Sequence, residues 1–112
     1  MNDKLLQSAW RLHQAGNLIE ASRLYNEVLR GDPRNFHALL MLGFLHFQRG
    51  EYGTAEKTLE AALRVNPNSV DAHYNRGSTL MALGRNGEAL ASFDNALRLK
   101  PDFVPALLNR GN

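Results

Sequence analysis

The chain has 112 residues, 44% of them apolar, and thirteen Lys and Arg against eleven Asp and Glu leave a formal charge of only +2. That length suits a single domain able to bury roughly two-thirds of the surface its unfolded form would expose, and the absence of cysteine excludes disulfides, thiolate metal sites and cysteine nucleophiles. Acidic residues are interspersed among the arginines, no run of 18 apolar residues could cross a membrane, and Met1-Asn2-Asp3-Lys4 does not open a signal sequence, so neither nucleic acid nor membrane is expected as a partner and a cytoplasmic protein is.

The first expected helix, over 3–15, ends at Gly16, whose permissive backbone suits a tight turn into a second helix over 18–31. Pro33 closes this pair, and Asn35 is placed to cap a third helix over 36–49. Apart from His37, His46, Gln48 and Arg49, that helix is apolar almost all round, as a helix buried on every side would be. Gly50 then turns the chain into 52–65, where Tyr52, Ala55, Leu59, Ala62 and Leu63 form one face and Glu56, Lys57, Glu60 and Arg64 the other. After Pro67, Ser69 can cap a helix over 70–83; Gly84 leads into 86–99; beyond Pro101, with Asp102 available as a cap, a short helix starts near 104. No stretch alternates as a strand would, and the fold class is all-α.

These elements repeat with a period of 34 residues. Gly16, Gly50 and Gly84 are one series, Pro33, Pro67 and Pro101 a second, and Ala21, Ala55 and Ala89 a third. Gly43, Gly77 and Gly111 form a fourth, with Ala9 in the first copy. Small residues on both helices of each pair let the two backbones approach, and Tyr25, Leu59 and Phe93 are placed to fill the space between consecutive pairs. A helix hairpin cannot bury both its faces alone, so the units must stack.

The pattern resembles the tetratricopeptide repeat: Leu39, Leu42-Gly43, His46, Ala55, Leu59, Ala62 and Pro67 in the second copy, Gly77, Leu80, Ala89, Phe93, Ala96 and Pro101 in the third, and Ala9, Leu12, Ala21, Tyr25, Val28 and Pro33 in the first. Leu5 and His73 stand where the family has tryptophan, and Ser8 and Arg76 where it has leucine. The resemblance implies a right-handed superhelix of helix hairpins, one domain over 1–112 with repeats at about 2–35, 36–69 and 70–103 and a stub at 104–112. It also implies a concave groove that binds a peptide or a partner's helix. Because the chain stops inside a fourth copy, a fragment of a longer protein is expected.

Family positions carried onto this sequence point Asp3, Leu6, Gln7, Trp10, His13 and Gln14 into that groove from the first copy, and His37, Leu40, Met41, Phe44, Phe47 and Gln48 from the second. The third offers Asp71, Tyr74, Asn75, Ser78, Met81 and Ala82, and the stub Leu108 and Asn109. Large apolar side chains of this kind in an open groove are typical of interface centres. Asn75 and Asn109 recur in the near-duplicate stretches "AHYNRG" and "ALLNRG"; their amides can clasp a peptide backbone, in a ladder similar to that of O-GlcNAc transferases. The family's basic clamp for chaperone C-terminal tails would fall on Leu6, Trp10, Met41, Asp71 and Asn75, none of them basic, so an EEVD-type tail is not an expected ligand.

Catalytic chemistry finds no foothold. No two of His13, His37, His46 and His73 lie three or four residues apart on one helix, no glycine loop could cradle a phosphate, and no serine has a triad motif. His46 and His73 read as packed core histidines, whereas His13 and His37 edge the groove. The expectation is a non-enzymatic interaction scaffold without cofactor or metal. The recognition arm of an O-GlcNAc-transferase-like glycosyltransferase is the alternative, and self-association a third reading.

Overall fold

The computed structural model describes residues 2–110, and of Arg110 the backbone alone. Seven helices make up the described chain: α1 (Asn2–Gln14), α2 (Leu18–Gly31), α3 (Phe36–Gln48), α4 (Tyr52–Val65), α5 (Val70–Ala82), α6 (Asn86–Leu99) and α7 (Val104–Arg110). Gly111, the last of its series, and Asn112 lie outside the described residues.

Each hairpin turns in the same way. Gly16, Gly50 and Gly84 take φ of 83°, 76° and 78°, the left-handed conformation that costs glycine least. The residue after each glycine donates its N–H back to the carbonyl of Leu12, His46 or Leu80, and the glycine donates to that of His13, Phe47 or Met81. Two orphan carbonyls of every first helix are thereby satisfied. At the hairpin-to-hairpin joints, Asn35 accepts from the Ala38 N–H and Ser69 from the Ala72 N–H. Asp102 makes no equivalent cap for α7. The period places the cap one residue later, at Phe103, whose backbone carbonyl accepts from Ala106 and Leu107 instead.

The pairs α1/α2, α3/α4 and α5/α6 pack as hairpins, each second helix leans on the first helix of the next unit, and α3 and α7 both touch α5. The result is a right-handed superhelix whose concave side is lined by the odd-numbered helices. Gly43 and Gly77 set how closely the hairpins close: a Cβ there would sit 2.7 Å from Leu59 Cδ2 and 2.6 Å from Phe93 Cε1. Tyr25, Leu59 and Phe93 are fully buried, each clustered with residues of the next unit: Leu42 and Leu45, Ala72, and Ala106.

One core contact departs from the outward face expected of α4. Glu56 is buried, and its carboxylate meets Arg76 Nε at 3.3 Å and Arg85 Nη1 at 3.7 Å, while Arg76 also reaches Glu60 at 3.6 Å. The arginine at the family's leucine position is therefore matched by an acid on the preceding hairpin.

Candidate functional site

The concave face holds two depressions. The first, about 230 Å³, is lined by Leu6, Gln7 and Trp10 of α1 and His37 and Met41 of α3, with Tyr25 of α2 at its floor. The second, about 340 Å³, is lined by Phe44 and Phe47 of α3, Tyr74, Asn75, Ser78 and Met81 of α5, and Asn109 of α7. No Lys, Arg, Asp or Glu lines either one.

Two groove expectations are corrected. Leu40 is only 6% exposed, because Leu59 and Ala72 close over it. His13 is also 6% exposed, so it does not edge an open groove. Its ring lies 5.6 Å from Trp10, 5.9 Å from Tyr25 and 5.8 Å from Phe44 between centroids, which puts it under the saddle between the two depressions. Its Nδ1 is 3.1 Å from the Tyr25 hydroxyl and its Nε2 2.5 Å from Gln48 Oε1. Burial pushes the Tyr25 phenol up to about 12.

The apolar surface of α3 is also less open than its sequence suggests. Met41, Phe44 and Phe47 are half-buried, Phe44 against His13 and Phe47 against Tyr52 at 5.5 Å. Contacts with α1 and with α4 thus close part of the stripe. Of the large apolar side chains that line the depressions, Trp10, at 43%, and Met81, at 45%, are the most exposed, and His37 is open at the rim; Leu108, expected in the groove, lines neither depression.

Asn75 and Asn109 line the second depression together, but they are not equivalent. The Asn109 amide donates to the Tyr74 hydroxyl at 3.0 Å, whereas the Asn75 amide makes no hydrogen bond among the described residues. Away from the groove, His46 Nδ1 bonds Glu51 at 2.7 Å and His73 Nε2 bonds the Pro67 carbonyl at 2.8 Å, while the buried His73 Nδ1 has no hydrogen-bond partner among the described residues. Among the described residues no group of three His, Asp or Glu could hold a metal ion.

The family model described as tetratricopeptide repeat matches residues 6–57 and 41–103, nearly the whole chain. The chain belongs to the tetratricopeptide repeat family. Tetratricopeptide arrays are protein-interaction scaffolds, and the groove just described lies where this architecture places one. A Thermobaculum terrenum O-GlcNAc transferase mutant is 33% identical over 97% of this chain, with a TM-score of 0.92, and the match spans 21% of the transferase. The first tetratricopeptide domain of Spaghetti (RPAP3), solved with the HSP90 peptide SRMEEVD, is 22% identical over 98% of this chain and 87% of its own, with a TM-score of 0.95. MamA is 23% identical over 98% of this chain and 64% of its own, with a TM-score of 0.94. No curated protein sequence matches the chain.

Sequence reasoning placed Tyr25 between hairpins and missed it as the floor of a depression, and it missed the Glu56–Arg76 pair. The second carried a signal: Arg76 breaks the repeat pattern at a position that Leu42 occupies with its side chain buried.

Proposed function

We propose that this tetratricopeptide domain is a scaffold that holds an uncharged apolar segment of a partner protein, an extended peptide or one face of an amphipathic helix, in its concave groove. The observation that carries this reading is the pair of depressions lined by Leu6, Trp10, Met41, Phe44, Phe47, Tyr74 and Met81 without a single formal charge. Apolar and aromatic side chains of the ligand would fill them, and the Asn75 amide would bond its backbone. The chemistry differs from what a carboxylate-ended tail needs, since burying an anion without a cation to meet it is costly.

Selection of random peptides against the folded protein tests the proposal, run beside a Trp10→Ala/Phe44→Ala variant that circular dichroism shows to be helical. Apolar motifs recovered by the parent and lost by the variant are the expected result, together with no measurable calorimetric binding of an EEVD-ended peptide. Equal recovery by both proteins, or micromolar binding of the acidic tail, would refute it.

A second reading has support from the 33% identity to the O-GlcNAc transferase and from the paired asparagines. In that case the same groove would present substrates to a nucleotide-sugar domain of a longer polypeptide. The coding sequence of the parent gene decides this: no such domain in the same reading frame would remove the reading.

A further inference from the structure

The buried Tyr25–His13–Gln48 chain fixes which way a groove side chain faces. Tyr25 is 0% exposed, and His13 is its hydrogen-bond partner among the described residues. If His13 Nδ1 carried the proton and donated to the phenol oxygen, the phenol's own proton would be buried without an acceptor, which is costly. The satisfied arrangement has the Tyr25 O–H donating to an unprotonated Nδ1. The neutral imidazole then carries its proton on Nε2 and donates to Gln48 Oε1 at 2.5 Å. With its oxygen turned in to His13, the exposed Gln48 carboxamide is held with its NH2 outward, so that its N–H donors lie beside the saddle where His13 joins Trp10 to Phe44.

We infer that Gln48 is a specificity-determining residue of the groove, donating to a peptide carbonyl that crosses the saddle between the two depressions, and that His13 and Tyr25 are positioning residues that keep its amide from flipping. This rests on the groove reading above. The ligand it selects carries two apolar side chains, one for each depression, with a free carbonyl between them. Among the described residues the ring and hydrogen-bond partners of His13 from α1, α2 and α3 are Trp10, Tyr25, Phe44 and Gln48, none of them charged.

Two measurements test it. Long-range nitrogen–proton NMR spectra of the imidazoles at neutral pH, recorded without ligand, are expected to show His13 as the Nε2–H tautomer, and Tyr25→Phe is expected to mix the two tautomers. A His13 in the Nδ1–H form would overturn the inference whatever the groove binds. The second is calorimetry with an apolar peptide selected on the parent. Gln48→Glu keeps an acceptor for His13 but has no donor for the ligand, and is expected to weaken binding by roughly tenfold, as for one lost hydrogen bond; Gln48→Ala is expected to do the same. If both bind as the parent does while Trp10→Ala abolishes binding, the groove reading stands and the role of Gln48 falls. If no peptide binds the parent, both fall together.

Discussion

At the scale of single residues, the same amino acid carries opposite meanings in different places. Gly77 is buried against the Phe93 ring, and Phe93, 1% exposed, has nowhere to retreat. Gly77→Ala is expected to lower stability by about 1–3 kcal/mol through overpacking. Gly87 in α6 has, beyond its chain neighbours and the surrounding backbone of its own helix, no atom within 4 Å of where its Cβ would stand. Gly87→Ala is expected to raise stability by about 0.5–1 kcal/mol, because alanine loses less backbone freedom on folding. Urea denaturation of the two variants should move the midpoint in opposite directions, and a common direction would show that the close approach at Gly77 is relieved at no cost. Both glycines fall in helices the sequence makes legible, yet only Gly77 belongs to the repeat series that marks a close approach.

At the scale of elements, the start of each second helix carries an acid in a local pair. Glu20 bonds Arg23, Glu88 bonds Arg85, and Glu51 just before α4 bonds His46. The hydrogen bond in each case holds the carboxyl below its ordinary value of 4.5. A depressed folded value means that the contribution is complete above about 4.5 and is lost as pH falls through the lowered range. Tyr25 supplies the opposite limb. Its folded value is raised by burial from 10.0 to about 12, so its contribution is complete below 10.0 and is lost as pH climbs through that interval. Denaturation midpoints measured across pH should therefore fall at both ends. Glu51→Gln is expected to soften the acid limb and Tyr25→Phe the alkaline one; an unchanged profile in either variant would contradict the assignment.

Across the whole molecule, hairpins are joined by apolar packing at every step and, between α4 and α5, by the part-buried Glu56–Arg76 ion pair as well. Arg76→Leu restores the family's residue but leaves the Glu56 carboxylate with Arg85 alone, at 3.7 Å. A loss of about 1–3 kcal/mol is expected, as for a buried charge deprived of a hydrogen bond. Adding Glu56→Leu should recover most of it, since an apolar pair of similar volume can replace a buried ion pair at little cost. A single Arg76→Leu variant more stable than the parent would show that the pair contributes nothing. The sequence by itself determined the seven helices, their hairpin turns and their stacking, because glycine, proline and small residues at a strict period encode local backbone geometry and the closeness of neighbours. It also nominated most of the residues that line the groove. The tertiary structure alone decided that Leu40 is sealed, that His13 lies beneath the saddle bonded to Tyr25 and Gln48, that the Asn109 amide is engaged with Tyr74 while that of Asn75 bonds none of the described residues, and that Glu56 turns inward. Those outcomes depend on how sharply the superhelix curves and on which side chains from different hairpins meet, and a repeat register fixes neither.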